Sequence, residues 1–204
     1  MPEPLPTYDT SAPVLVTGAT GYVAGWLVSR LLDEGFTVHA AVRDPSNAKK
    51  TGPLQALADA KPGTIKFFKA DLLDPGSYTE AMQGCAVVFH TASPFTVTVA
   101  DPQRDLVDPA LNGTRNVLDS ANQVESVRRV VVTSSCAAIY GVIEDVAKAP
   151  GGVLTENDWN TSSSLTVTPY NYSKTLAERA AWEMAGAQNR WKLVVINPAL
   201  VLGP

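Results

Sequence analysis

Tyr170 and Lys174 stand four residues apart in Tyr170-Asn171-Tyr172-Ser173-Lys174. On a helix that spacing puts a phenol and an ammonium on one face, with Cβ atoms roughly 5–6 Å apart. A free tyrosine keeps its proton up to about pH 10. A fixed positive charge beside it favours the phenolate and draws that value down. At about 1.4 kcal/mol per unit, a drop of roughly three units asks about 4 kcal/mol of the site. The expected product is a proton donor and acceptor poised near neutral pH. Upstream, Ser134 and Ser135 close an apolar run. Enough chain separates Ser135 from Tyr170 for a strand end, a long loop and a return into a helix. Two hydroxyls brought together in this way could aim at one substrate oxygen on which negative charge develops.

A second constellation lies near the start. Val14-Leu15-Val16-Thr17-Gly18-Ala19-Thr20-Gly21-Tyr22-Val23-Ala24-Gly25 runs from a strand through a glycine turn into a helix. Glycines there permit positive φ and close backbone approach to a pyrophosphate, whose charge sits at a helix N-terminus. With strand and helix on its two sides, the motif reads as a dinucleotide site. Its spacing is Gly-x-x-Gly-x-x-Ala rather than Gly-x-Gly-x-x-Gly. Where NAD-binding proteins carry an acid for the ribose 2′-hydroxyl, the end of the second apolar run has Arg43, which suits a 2′-phosphate. Lys49 and Lys50 follow as further positive charges. Asp44 beside Arg43 keeps an acid in the vicinity. NADP is the expected cofactor.

The elements that must position these residues follow from periodicity. Val14-Leu15-Val16, Thr37 to Val42, Ile65 to Phe68, Val87-Val88-Phe89, Val130-Val131-Val132 and Leu193 to Ile196 are short β-branched runs, as strands covered on both faces must be. Between them lie stretches of helical period. Trp26, Leu27, Leu31 and Leu32 form one stripe, Leu54, Leu57 and Ala58 another, and Leu111, Val117, Leu118 and Ala121 a third. Asp74-Pro75 reads as a helix start before Ser77 to Met82. Alternating strands and helices predict a doubly wound parallel sheet, a Rossmann fold with helices on both faces. Residues 13–204 form that domain, after a flexible segment over residues 1–12. Ser93 to Asp105 and Gly141 to Pro169 break the rhythm and read as binding loops beyond strand ends.

With 204 residues, the chain has ample length for a large core. Its 45% hydrophobic and 18% charged content is that of a globular protein. A formal net charge of −4 disfavours nucleic acid and acidic lipid as partners. Cys85 and Cys136 lie in apolar runs without metal-ligand spacing, so buried reduced thiols and no metal are expected. No stretch resembles a signal peptide or a membrane span, which leaves a cytoplasmic setting by default.

With the glycine turn, Arg43, Thr133-Ser134-Ser135 and Tyr170 to Lys174 in place, the chain resembles the extended short-chain dehydrogenase/reductases. Within them it is most similar to the branch of dihydroflavonol reductases, cinnamoyl-CoA reductases and NADPH-dependent aldehyde or ketone reductases. Arg43 to Lys50 resembles that branch's cofactor-selecting segment, with Arg43 and Lys50 at its phosphate-contacting positions. Asp71-Leu72 matches the pair beside the adenine, and Thr91-Ala92-Ser93-Pro94 the turn under the cofactor. Tyr170 to Glu178 is the most specific segment. Asn197 to Pro204 looks like the strand end that touches the nicotinamide, through Pro198 and Val201. The resemblance implies Gly18, Thr20, Gly21, Tyr22 and Val23 at the phosphates. It also favours Ser135, with Tyr170 and Lys174, as the catalytic set. Relatives of that kind continue past this Gly-Pro into a substrate domain, so that domain is expected to be largely absent here.

The implied chemistry is hydride transfer from a nicotinamide to a carbonyl carbon while Tyr170 protonates the oxygen. Lys174 would lower the phenol's pKa and hold the nicotinamide ribose. Ala137, Ala138, Ile139 and Tyr140, with Val153, Leu154 and Trp159 of the long loop, suggest a small apolar or aromatic carbonyl substrate. Trp159 reads equally as a loop anchor. His39 and His90 read as satisfied core histidines, and Glu144, Asp145, Glu156 and Asp158 as solvated surface. Two other functions stay open: a nucleotide-sugar epimerase or dehydratase holding NAD tightly, and a non-catalytic NADP-sensing module. Arg43 with Lys50 argues against the first, and the intact Tyr170–Lys174 pair against the second.

Overall fold

The inner apolar runs become strands because their two faces are both covered. The computed structural model describes residues 10–93 and 99–203. Its strands are β1 (Val14–Thr17), β2 (Thr37–Val42), β3 (Thr64–Lys69), β4 (Val87–His90), β5 (Arg129–Thr133) and β6 (Lys192–Ile196). They form one sheet in the order β3-β2-β1-β4-β5-β6, with every neighbouring pair parallel. The helices are α1 (Tyr22–Asp33), α2 (Ala48–Asp59), α3 (Thr79–Met82), α4 (Asp108–Gln123), α5 (Ile143–Lys148) and α6 (Pro169–Gly186). The predicted doubly wound fold is the one observed.

Alternation along β1 feeds two cores. Val14 and Val16 point with Val38, Ala40 and Val42 toward Ala24, Val28, Leu31 and Leu32 of α1 and Leu54 and Ala58 of α2. Leu15 points the other way, with Val88 and Val130, toward Val117, Leu118 and Ala121 of α4 and Ala181 of α6. Burying a large aliphatic side chain contributes about 1.5–3 kcal/mol, so these layers fix strand register. The edge strands are less covered. β3 and β6 keep exposed residues at alternate or terminal positions.

Several local expectations change. Trp26 faces solvent at 59% exposure, and Ala24 and Val28 take the inward positions of α1. The helix expected from Ser77 shrinks to the single turn of α3, because Gly76 has φ +78 and the chain from Asp71 to Ser77 is a series of turns. The long stretch from Gly141 to Pro169 is not structureless: it contains α5 and a short 3₁₀ turn at Pro150–Gly152. The expectation of a flexible N-terminal segment falls largely on residues 1–9, outside the described residues; of the loop expected over Ser93 to Asp105, residues 94–98 lie outside them too, and Gln103–Val107 form a turn of π-helix.

The topological consequence is decisive for the site. The chain winds outward through β1, β2 and β3, then crosses back to β4, β5 and β6. Between β1 and β4 the connections leave in opposite directions and open a crevice at the strands' carboxyl ends.

Candidate active site

The glycine turn occupies that crevice. Gly18 has φ +61, and a Cβ there would lie 2.9 Å from the Cα of Ala92. Both facts demand glycine, since the left-handed region costs other residues about 1–2 kcal/mol. Gly21 then caps α1 in extended conformation without any side-chain hydrogen bond, and the first turn carries no acid. The leading N–H groups of α1 therefore face the crevice as an anion site. A cleft of about 650 Å³ runs from Gly18, Thr20 and Gly21 past Arg43 and Lys50 to Asp71, Leu72, Thr91, Ala92 and Ser93. Tyr22 and Val23 begin α1 behind it. The residues present thus fit an adenine dinucleotide along the whole crevice.

The floor of the cleft is tied by Thr17 and His90. The Thr17 hydroxyl oxygen accepts from the Thr91 and Ala92 N–H groups at 3.2 and 3.1 Å. It also bonds His90 Nδ1 at 3.0 Å, while His90 Nε2 lies 3.4 Å from the Thr114 hydroxyl. Burial, with Lys174's charge adding, pulls His90 down to about 3, so it stays neutral. His39 is likewise bonded to the Ala81 carbonyl at 2.7 Å, and burial lowers its pKa. Arg43 and Lys50 are exposed and share a second lobe with Thr20 and Asn47. Asp44 lines the same lobe. Its carboxylate accepts from the Ser46 N–H and hydroxyl, and these bonds lower its pKa.

Ser135, Tyr170 and Lys174 meet beside the crevice. Ser135 follows β5 in extended conformation, its hydroxyl oxygen accepting from Ala137 N–H at 3.2 Å and capping a short 3₁₀ turn. The same hydroxyl lies close enough to the Tyr170 phenol to lower its pKa. Tyr170 opens α6 after Thr168, which holds φ +45, and Pro169, a favourable first helical residue. Asn171 anchors that first turn by donating to the Tyr140 carbonyl at 3.0 Å. Lys174 is buried at 7% exposure, with Nζ 5.8 Å from the Tyr170 ring centroid and donating to the Ser93 hydroxyl at 2.7 Å. Ser134, by contrast, is turned inward to Glu178.

The electrostatics correct the sequence expectation. Burial raises the Tyr170 pKa above its ordinary 10, the Ser135 hydroxyl opposes this, and the neighbouring Cys136 adds to the rise. The Lys174 charge is committed to Ser93, and burial draws the ammonium itself down to about 8. The pair shares a helix face as the spacing predicts. The phenol's pKa is raised here, where the spacing alone predicted a lowered one.

Other expectations need revision. Cys85 is buried, and burial pushes its thiol up to about 12, but Cys136 is only partly buried next to Ser135. Asp145 and Asp158 are half-buried and do more than face solvent. Asp145 accepts from the N–H groups of Gly141 and Val142 and from the Ser162 hydroxyl, and Asp158 from the Thr155 N–H and hydroxyl. Trp159 lies under the Arg179 guanidinium, 5.0 Å from ring centroid to Cζ, and so anchors the loop to α6. Pro198 accepts from Cys136 N–H, whereas Val201 is half exposed. Pro94 and Pro204 lie outside the described residues. Thr17, Glu178 and Asn197 fall inside motifs read from the sequence, but those motifs assign them no role. Among the described residues no group of metal-ligating side chains occurs, and no helix is long and apolar enough to cross a membrane.

A parallel sheet with a glycine turn at its reversal point and a serine, tyrosine and lysine alongside defines a dinucleotide-binding α/β domain. The chain belongs to the NAD dependent epimerase/dehydratase family, whose sequence model matches residues 14–204. It is 47% identical over 194 residues to cinnamoyl-CoA reductase CAD2 of Medicago truncatula, covering 94% of this chain and 58% of that protein. It is 41% identical over 199 residues to a bifunctional dihydroflavonol 4-reductase/flavanone 4-reductase of Pyrus communis, covering 95% and 55%. Among solved structures, Gre2 of Candida albicans in complex with NADPH superposes with a TM-score of 0.83 at 32% identity, covering 95% and 59%. The chain therefore spans little more than half the length of these relatives.

Proposed function

We propose that the full-length protein is an NADPH-dependent reductase of apolar or aromatic aldehydes or ketones. The observation that carries this reading is the placement of Lys174 one turn along the helix from Tyr170, its Nζ 5.8 Å from the phenol ring centroid and bonded to Ser93 of the cofactor cleft, with Ser135 beside the phenol. Relatives named as reductases and the NADPH complex of Gre2 support it. Gly18, Gly21 and the start of α1 would receive the pyrophosphate, Asp71 and Leu72 the adenine, and Arg43 with Lys50 the 2′-phosphate. Bound there, the nicotinamide supplies a hydride. Tyr170 and Ser135 would hold the carbonyl oxygen between two hydroxyls and stabilise the charge it gains. A phenol whose pKa lies above 10 is fully protonated at neutral pH, so Tyr170 stands loaded as an acid for reduction. Lys174 holds a positive charge behind the phenol, and neutral His90 keeps the cleft floor rigid without competing for the proton.

The test is NADPH oxidation by the full-length protein across a panel of aromatic and aliphatic carbonyl compounds. Turnover with NADPH, and much weaker turnover with NADH, is the expected outcome. Retention of non-exchanging NAD through purification would replace this reading with an epimerase or dehydratase. Cofactor binding with no turnover on any carbonyl would replace it with a sensing module.

A further inference from the structure

Glu178 lies one helical turn beyond Lys174, is buried, and has no part in the chemistry above. Its carboxylate accepts from three elements at once. The donors are the Ser134 hydroxyl after β5, the Asn197 amide after β6 at 2.8 Å, and the Trp182 indole N–H of α6 at 3.3 Å. The Asn197 amide also donates to the Ser135 carbonyl oxygen at 3.1 Å. Backbone bonds from Ser134 N–H to the Ile196 carbonyl and from Cys136 N–H to the Pro198 carbonyl, 2.8 and 2.9 Å, flank the same residue. Ser135 is thus held on both sides by β6, and the whole strand end is tied to α6 through one carboxylate. A group with two oxygens and no donor suits this role, because all three partners present hydrogens. A carboxylate accepting several bonds away from water is also among the stronger and more rigid hydrogen-bonding arrangements.

We infer that Glu178 is a positioning residue, which locks the Ser135 strand end to the helix that carries Tyr170 and so sets the distance between the two hydroxyls. The inference rests on the reading of Ser135 as a substrate-oxygen donor. Asn171 ties the first turn of α6 to the Tyr140 carbonyl further along, whereas Glu178 acts at the Ser135 strand end itself. Asn197 passes the constraint to the Ser135 carbonyl, and Ser134 passes it to the preceding residue.

The experiment is a cycle of variants in the full-length protein, with kcat, KM and cofactor Kd measured for each. Glu178→Ala is expected to lower kcat by roughly 10–100-fold, as a small misplacement of reacting groups does, with cofactor Kd and KM nearly unchanged. Glu178→Gln keeps one acceptor oxygen for Ser134 and Asn197 and is expected to restore most of that loss. In a Ser135→Ala background, Glu178→Ala should add almost nothing, because the residue through which it acts has gone. Asn197→Ala breaks the link to the Ser135 carbonyl while leaving the carboxylate in place. It should show the same non-additivity, and it carries the test if Glu178→Ala does not fold. An undiminished kcat in Glu178→Ala, or an equal loss with and without Ser135, would overturn the inference. Full activity in Ser135→Ala alone would instead overturn the reading of Ser135.

Discussion

The glycine turn and the Ser135–Tyr170–Lys174 seam share one edge of the sheet but are built by opposite means. At the turn, backbone does the work: Gly18 adopts φ +61, Gly21 leaves the first N–H groups of α1 free, and side chains are kept away. At the seam, backbone merely delivers the parts. Ser93, Ser135 and the α6 residues Tyr170, Lys174 and Glu178 come from three separate segments, and side-chain hydrogen bonds from Lys174 and to Glu178 tie them together. A backbone-built site is preformed as soon as its strand and helix pack. A side-chain-built site depends on every clamp that fixes it. The first should therefore control affinity and the second turnover.

The sharpest way to break that contrast is Tyr170→Phe. Positioned acid catalysis contributes about 10²–10⁴-fold, or roughly 3–5 kcal/mol. Steady-state kinetics should show kcat falling on that scale while the NADPH Kd, read by fluorescence quenching, stays put. Retained turnover would remove Tyr170 from the mechanism. Gly18→Val should do the reverse. A β-branched residue in the left-handed region, with its Cβ 2.9 Å from Ala92 Cα, combines backbone strain and overpacking of roughly 3 kcal/mol. Titration should show NADPH affinity weakened about 100-fold, on the conversion of 1.4 kcal/mol per decade, with the circular dichroism of the sheet retained.

Arg43 sharpens the contrast within the cofactor cleft itself. The turn serves any dinucleotide, but an exposed guanidinium beside Lys50 would discriminate. A charge-assisted hydrogen bond contributes about 1.5–3 kcal/mol. Arg43→Ala should weaken NADPH roughly 10–100-fold by calorimetry and leave NADH within about a factor of two. Equal losses for both would mean that Arg43 holds the turn and not the 2′-phosphate.

The same contrast explains what could be read from the chain beforehand. The six strands and the glycine turn were legible because each is local: a β-branched run, or a few glycines between a strand and a helix. Tyr170 and Lys174 were legible as a shared helix face, which spacing alone decides. The direction of the Tyr170 shift was not, because it depends on burial and on Ser135 and Cys136, brought beside the phenol only by the fold. Asp145 looked like surface charge and is a loop tie, since its donors come from Gly141, Val142 and Ser162 only after the loop has folded back. Trp26 looked like core because the stripe had helical period. Ala24 and Val28 fill the inward face instead, because close packing of α1 on the sheet favours the smaller side chains.

Lys174 supplies the smallest effect and the one most particular to a side-chain-built site. Its folded-state pKa, about 8, lies below the ordinary 10.5, with burial as the cause. Below about pH 8 both folded and unfolded chains hold the proton, and the full desolvation penalty is present. Between about 8 and 10.5 the unfolded chain binds the extra proton, so stability rises with pH across that window. Lys174→Met would remove a penalty of about 3 kcal/mol while losing the charge-assisted bond to Ser93, itself worth about 1.5–3 kcal/mol. The expected net is a gain of roughly 0.5–2 kcal/mol at neutral pH, together with loss of turnover and of the alkaline rise. Denaturant titrations of both proteins at pH 7 and 10 measure this directly. A Met variant less stable at pH 7 would mean that the ammonium is held by more than Ser93, and that the seam, like the turn, is at rest in its folded state.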